Sequence, residues 1–262
     1  MSSKYENFPD HDSSGRNTFN MIVRDRRMIF QDFIRPCFAE LMATALFVFL
    51  GTMPVLGMSV NRVAIANGMT ITMVVIAFSP VSGCHINPVV TLALYLCGEI
   101  PTIRALCYVL TQLLGGMLGS MLLRSFLTEE LFTLLKAGSQ NFAPGVTVPQ
   151  AFLCETTLTF MLIYVILTAL MPEPGRHPLF LGPICIGFAV VIAVLAGSHV
   201  SGPSLNPARS FGPAVIASFY NMGSEVWDNH YVYWVGPISG TLLATLFFRL
   251  VYMSIHSCVS VV

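Results

Sequence analysis

The chain has 262 residues, of which 55% are hydrophobic and only 10% are charged, and its mean hydropathy is +0.73. Soluble globular domains carry about 25% charged residues, so this composition excludes an ordinary soluble domain and indicates an integral membrane protein. Thirteen basic residues balance thirteen acidic residues, which excludes the basic surface that a nucleic-acid-binding protein needs.

Residues 1–35 are polar and lack the apolar core of a signal peptide, so they predict a disordered N-terminal tail. Arginines are concentrated just before the first apolar run, and this favours a cytosolic N-terminus. They are Arg24, Arg26, Arg27 and Arg35.

The long apolar runs predict six membrane-spanning helices, because about 20 mainly apolar residues cross a bilayer. These runs lie at about Phe38–Leu56, Val63–Phe78, Ala105–Leu123, Ala151–Met171, Leu179–Ala196 and Tyr231–Val251. An even number of spans returns the chain to its starting side. We therefore expect residues 126–148 to form an extracellular connecting loop and residues 254–262 to form a cytosolic C-terminal tail.

Two further apolar runs, about Pro88–Leu96 and Pro207–Phe219, are too short to span a bilayer. Each begins with a proline, which is tolerated at the first helical position, and each follows an asparagine at the N-cap position. The pattern predicts two re-entrant half-helices. It assigns the pore midplane to two tripeptides, Asn87-Pro88-Val89 and Asn206-Pro207-Ala208.

The chain reads as two similar repeats, residues 36–125 and 149–253. The first span of each repeat contains the pattern Glu-x-x-x-Thr, beginning at Glu40 and at Glu155. Because each repeat has three spans, an odd number, the second repeat is inverted in the membrane. We therefore expect the half-helices to enter from opposite faces, with their N-termini meeting near the midplane.

The helix ends and the charged residues within the apolar runs suggest how the pore midplane works. Each helix N-terminus carries about half a positive charge, so two facing N-termini oppose protons and cations but admit neutral molecules. Arg209 has no acid in its own segment, which favours a pore-facing role. Glu40 and Glu155 are interpreted as structural buried acids that accept hydrogen bonds from loop N–H groups, with a proton or ion relay as the alternative.

The seven cysteines are scattered and form no Cys-x-x-Cys pair, and neither a metal-ligand set nor a nucleophile–base pair stands out. The sequence thus predicts no metal, no cofactor and no enzymatic activity. Cys84 precedes the first Asn-Pro element and is the one thiol expected to be reactive, if that segment lines a pore.

Paired Asn-Pro elements within six spans closely resemble the aquaporin (major intrinsic protein) family over about residues 36–253. The resemblance implies an all-α membrane protein with six transmembrane helices, two re-entrant half-helices, one pore per subunit and a homotetramer. Ser210 stands where glycerol facilitators have Asp, which disfavours a glycerol channel. The segments most similar to the aquaporin-8 type are Phe33–Leu41, Gln112–Gly119 and Val200–Gly202.

Alignment with the family implies a selectivity filter formed by Asn67, Val194, Pro203 and Arg209. Water-selective members have Phe and His at the first two positions, so we expect a wider filter of different polarity here. Val89 replaces the usual Ala of the first tripeptide and adds volume where the half-helices pack. This volume either shifts the midplane constriction or only fills a gap.

The sequence therefore predicts a passive water channel that also passes hydrogen peroxide and ammonia and excludes protons and ions. Its predicted partners are water, small neutral solutes and lipid. Its predicted localisation is the cell membrane or, alternatively, an intracellular membrane. Two other functions stay open. One is a proton-coupled or ion-conducting transporter that uses Glu40 and Glu155, and the other is a closed-pore structural or junction membrane protein.

Overall fold

The computed structural model describes residues 29–57, 59–170 and 181–253, with only the backbone for 252 and 253. Residues 1–28 of the predicted tail, residues 254–262 and most of the turn between the fourth and fifth predicted spans lie outside the described residues. Helical structure begins at Phe30, inside the predicted tail, because apolar residues already occur there. Helices form all the regular secondary structure in the described ranges.

Nine α-helices occur in the described part of the chain. They are α1 (Arg35–Thr52), α2 (Val60–Ser82), α3 (Pro88–Leu96), α4 (Thr102–Phe126), α5 (Glu129–Leu134), α6 (Val148–Leu170), α7 (Gly182–Gly197), α8 (Pro207–Phe219) and α9 (Val232–Phe247). A π-helical turn, Phe30–Ile34, precedes α1, and another, Phe248–Met253, follows α9.

Within the residues that the structure describes, five helical segments are long and apolar enough to cross a membrane. They are Phe30–Val55, Val60–Ser82, Thr102–Phe126, Val148–Leu170 and Ser224–Val251. The remaining predicted span corresponds to α7, which has 16 residues and begins next to the undescribed residues 171–180. Helices α3 and α8 have the bounds that the sequence predicted for the half-helices, whereas the short helix α5 in the connecting segment was not predicted.

The helix contacts repeat in the two halves of the chain. Helix α1 packs against α2 and α4, and its counterpart α6 packs against α7 and α9. The halves join where α2 contacts α7 and where each half-helix contacts the third span of the other half, α3 against α9 and α8 against α4. The predicted architecture of six spans and two half-helices in an internal repeat is confirmed.

The contact between α8 and α4 is close because small residues face each other. A Cβ atom added to Gly116 would lie 2.3 Å from the Ala208 carbonyl oxygen, and one added to Gly212 would lie 2.2 Å from the Gly116 carbonyl carbon. The backbones of α8 and α4 are therefore in direct contact, as at other close helix–helix contacts in membranes.

The contact between α3 and α9 has larger residues at the corresponding positions. The repeat makes Val89 the counterpart of Ala208, and a constant spacing of 125 residues between α4 and α9 makes Thr241 the counterpart of Gly116. Val89 is 1% exposed and belongs to the apolar core. The departure from the usual Ala thus fills space between helices.

We predict that Val89→Ala lowers stability by about 2 kcal/mol, because it leaves a cavity in this packed contact. Water permeability per channel should stay unchanged. Thermal unfolding in detergent and vesicle swelling measure the two quantities. Val235→Ala on the exposed face of α9 is the matched control. Altered permeability with unchanged stability would place Val89 in the pore wall instead.

Candidate functional site

Each half-helix begins with an asparagine that caps its own N-terminus. Asn87 Oδ1 accepts a hydrogen bond from the Val89 N–H at 3.0 Å. Asn206 Oδ1 accepts from the N–H groups of Ala208 and Arg209 at 2.9 and 3.3 Å. Both asparagines have the extended backbone of N-cap residues, and the proline that follows has no N–H to satisfy. Local chemistry therefore fixes where both helices start.

The same two side chains join the half-helices to each other. Asn87 Nδ2 donates to the Leu205 carbonyl oxygen at 2.8 Å, and Asn206 Nδ2 donates to the Ile86 carbonyl oxygen at 2.9 Å. Each amide thus directs its oxygen to its own helix and its nitrogen to the opposite loop. The two positive helix ends meet in the interior of the protein.

The loops before the half-helices contain strained backbone at matching positions. Ile86 and Leu205, whose carbonyl groups accept the asparagine hydrogen bonds, have φ angles of 48° and 54°. Left-handed backbone costs roughly 1–3 kcal/mol at a residue other than glycine, so surrounding contacts must stabilise it.

Glu40 stabilises the first loop. Its side chain is completely buried and accepts hydrogen bonds from the N–H groups of His85 and Ile86 at 2.9 and 2.6 Å. The Ser82 hydroxyl and the Gln112 side-chain amide also donate to it, at 2.6 and 2.8 Å. Both carboxylate oxygens are therefore occupied by donors from the loop and its neighbours.

Glu155 occupies the equivalent place in the second repeat. It is also completely buried and accepts from the N–H groups of Ser204 and Leu205 at 3.0 and 2.9 Å, and from the Ser201 hydroxyl at 2.7 Å. Glu40 and Glu155 thus have the same kind of hydrogen-bond partners. This geometry fits acids that hold the loops in place better than acids that relay protons or ions.

Two tyrosines complete this pattern, and the sequence reasoning did not assign them a role in it. Tyr108 donates its hydroxyl to the Ser82 carbonyl oxygen at 2.8 Å, and Tyr233 donates to the Ser201 carbonyl oxygen at 2.6 Å. They lie 125 positions apart, the spacing that relates Gly115 to Gly240. That repeated spacing was the signal that could have identified them.

The four predicted filter residues line one cavity of about 320 Å³. They are Asn67, Val194, Pro203 and Arg209. The Arg209 guanidinium donates from Nη1 to the Gly138 carbonyl oxygen at 3.3 Å. The positions that the family alignment selected therefore share one open space beside the N-terminus of α8.

Gln140, in the segment that joins the repeats, fixes one wall of this cavity. Its Nε2 donates to the carbonyl oxygens of Gly202 and Pro203 at 2.9 and 2.8 Å, and its Oε1 accepts from the Ser210 hydroxyl. Sequence reasoning treated residues 126–148 as a plain connection and missed this residue, because only the folded chain brings the segments together.

Asn87 and Asn206 both line a second, smaller cavity of about 50 Å³. The other members of the two tripeptides line neither cavity and are buried in the packed first turns of the half-helices. Those members are Pro88, Val89, Pro207 and Ala208. Of the two tripeptides, the asparagines line the smaller cavity, and the midplane assignment of the other four residues stays a prediction.

Cys84 also lines the smaller cavity, where its Sγ lies 3.4 Å from the Val74 carbonyl oxygen. It is buried, with 6% of its surface exposed. Among the residues that the structure describes, no group of three or more His, Cys, Asp or Glu side chains is placed to hold a metal ion.

We predict that Glu155→Gln destabilises the protein by about 1–3 kcal/mol, because the new amide NH₂ group would face loop donors. Glu130→Gln, the same change at an exposed residue, should have little effect. Thermal unfolding of the purified protein measures both. Equal stability of the two variants would show that the buried carboxylate does not support the loop.

The chain matches the family model described as major intrinsic protein over residues 28–248. It is 34% identical over 238 residues to aquaporin-8 of Mus musculus, an alignment that covers 88% of this chain and 87% of the relative. It is 33% identical over 238 residues to aquaporin PIP2-1 of Arabidopsis thaliana, covering 84% and 81%.

The fold is also found among solved structures. The X-ray structure of the aquaglyceroporin from Plasmodium falciparum superposes with a TM-score of 0.77 and 19% sequence identity, covering 85% of this chain and 98% of that one. At this identity the likeness concerns the fold alone. From the family match and the curated relatives, the chain belongs to the major intrinsic protein family, whose members are channels and not enzymes.

Proposed function

We propose that this protein is a passive channel for water that also passes small neutral solutes, such as hydrogen peroxide and ammonia, and excludes protons and ions. The observation that carries the proposal is the meeting of two half-helix N-termini, whose asparagines Asn87 and Asn206 donate to each other's loops and line one cavity. The names of the curated aquaporin relatives support the same function.

The asparagine geometry supports the passage of water without protons. Each Asn oxygen accepts from its own helix, so the amides of Asn87 and Asn206 offer only N–H groups to a solute. One N–H of each donates to the opposite loop, and the second remains for the solute. A water molecule that accepts these bonds donates outward in both directions and cannot relay a proton past the two positive helix ends.

The hydrogen bonds of Glu40 and Glu155 argue against a proton-coupled transporter. A relay residue must release and take up protons, whereas these carboxylates accept bonds from loop groups on both oxygens. Protonation would remove acceptors that the strained loops need.

The proposal extends to assembly and orientation. A homotetramer would cover part of the apolar outer surface, where Met69, Met73 and Phe188 are more than 60% exposed.

The arginines before α1 favour cytosolic termini and an extracellular segment 126–148. The mass of the purified detergent complex and protease access to sealed cells test these two statements.

Parallel flux assays in one preparation of reconstituted vesicles test the function. Water permeability, followed by stopped-flow light scattering, should rise several-fold above that of empty vesicles. Ammonia and peroxide fluxes should rise with it, whereas glycerol should stay near the background. Water permeability equal to that of empty vesicles would refute the channel proposal.

We predict that Arg209→Val admits larger and charged solutes while changing water permeability less than twofold, because it removes the positive charge and much of the bulk at the filter. Solute-to-water permeability ratios and ionic conductance measure the effect. Arg124→Val, at the end of α4 and outside both cavities, is the control. Unchanged ratios in Arg209→Val would mean that Arg209 does not determine selectivity.

A further inference from the structure

Arg249 joins the outer end of the first half-helix to the second repeat. It lies in the π-helical turn that follows α9, and its Nη2 donates to the carbonyl oxygen of Leu96, the last residue of α3. Its guanidinium also hydrogen-bonds to the side chain of Cys97, the C-cap residue. Arg249 and Leu96 are 153 positions apart, so this contact forms only when the two repeats fold together.

Arg249 completes the hydrogen bonding at this helix end. The last carbonyl groups of a helix have no partner within the helix, and the turn that follows α3 supplies donors for three of them. The N–H groups of Cys97, Glu99 and Gly98 donate to the carbonyl oxygens of Ala93, Leu94 and Tyr95 at 3.0, 2.9 and 3.0 Å. The carbonyl of Leu96 is the next along the helix, and Arg249 donates to it.

The charge of Arg249 matches the polarity of the helix that it contacts. The C-terminus of α3 carries about half a negative charge, which a cation stabilises. The N-terminus of the same helix carries about half a positive charge and faces the positive end of α8 at the pore centre. Arg249 therefore attracts α3 at one end, whereas the other end is repelled by its counterpart.

The spacing of 125 residues makes Arg124 the counterpart of Arg249, but Arg124 has different contacts. Its Nη2 lies 3.8 Å from Glu129 Oε2, and its Cζ lies 6.0 and 5.7 Å from the ring centres of Phe132 and Tyr220. The charge of Arg124 is thus paired with a nearby acid, whereas Arg249 binds the backbone of a half-helix. The two arginines therefore have different roles, although the repeat relates their positions.

We propose that Arg249 is a positioning residue for the pore centre, which holds the outer end of α3 so that Asn87 at the inner end keeps its bond to the Leu205 carbonyl. Helix α3 has nine residues and is about 13 Å long, so a shift at one end reaches the other. Without Arg249, repulsion between the two N-termini moves α3 outward along its axis and withdraws Asn87. A central water then keeps the donor of Asn206 alone and relays protons. The effect on protons rests on the proposed channel function, whereas the positioning of α3 does not.

The test combines amide hydrogen exchange of the full-length purified protein with proton and water fluxes in reconstituted vesicles. Arg249→Gln removes the charge and keeps an amide donor, whereas Arg249→Lys keeps the charge and loses the planar fork. Arg124→Gln, the same change at the related position, is the matched control. Exchange is compared between residues 88–96 and residues 207–219, the half-helix that Arg249 does not hold.

Exchange of residues 88–96 should become about fivefold faster in Arg249→Gln and about threefold faster in Arg249→Lys, the size expected for one lost hydrogen bond and a weakened helix-end charge. Residues 207–219 should keep their rate, and Arg124→Gln should leave residues 88–96 unchanged. In vesicles, Arg249→Gln should raise proton flux above that of empty vesicles while water still passes. Arg249→Lys should reduce this leak, a recovery that loss of folded protein alone would not produce.

The inference is overturned if exchange of residues 88–96 rises less than about 1.5-fold in both variants, or rises equally in residues 207–219. It is also overturned if α3 loosens and water passes but proton flux stays at the level of empty vesicles. If Arg249→Gln does not fold, Arg249→Lys decides by the same limits. Absence of water permeability in the unmodified protein would instead refute the channel function and leave the exchange test of α3 valid.

Discussion

Two reciprocal hydrogen bonds, from Asn87 to the Leu205 carbonyl and from Asn206 to the Ile86 carbonyl, determine how this protein is built. They place two helix N-termini against each other although both ends carry partial positive charge. Because an asparagine amide has a donor end and an acceptor end, one residue type both caps its helix and joins the opposite loop. Aspartate would lack the donor for the second task.

The remaining structure stabilises the loops that these bonds require. Ile86 and Leu205 have strained backbone, and each N–H is held by a buried carboxylate, Glu40 or Glu155. Hydrogen bonds to a charged group contribute about 1.5–3 kcal/mol each, enough to offset strain of similar size. The acids of the two first spans are thus part of the support for the pore centre. We propose that solutes are selected in the larger cavity, which Asn67 and Arg209 line.

Features that depend on local chemistry could be predicted from the sequence, and features that depend on distant contacts could not. The bounds of α3 and α8 followed from Asn-Pro, because capping and proline geometry act within one turn. The filter positions followed only from family resemblance. The role of Gln140 and the contact of Arg249 with α3 were not predictable, since they depend on carbonyl groups of segments distant in sequence. Position within a tripeptide also did not reveal that Val89 packs away from the cavities.

The most direct test of this account compares proton flux with water flux in the same reconstituted vesicles. A pH-sensitive dye inside the vesicles reports protons, and light scattering reports water. The opposed helix ends and donor-only asparagines predict water permeability well above that of empty vesicles, with proton flux at the level of empty vesicles. Proton flux that rises in proportion to water flux would contradict the account.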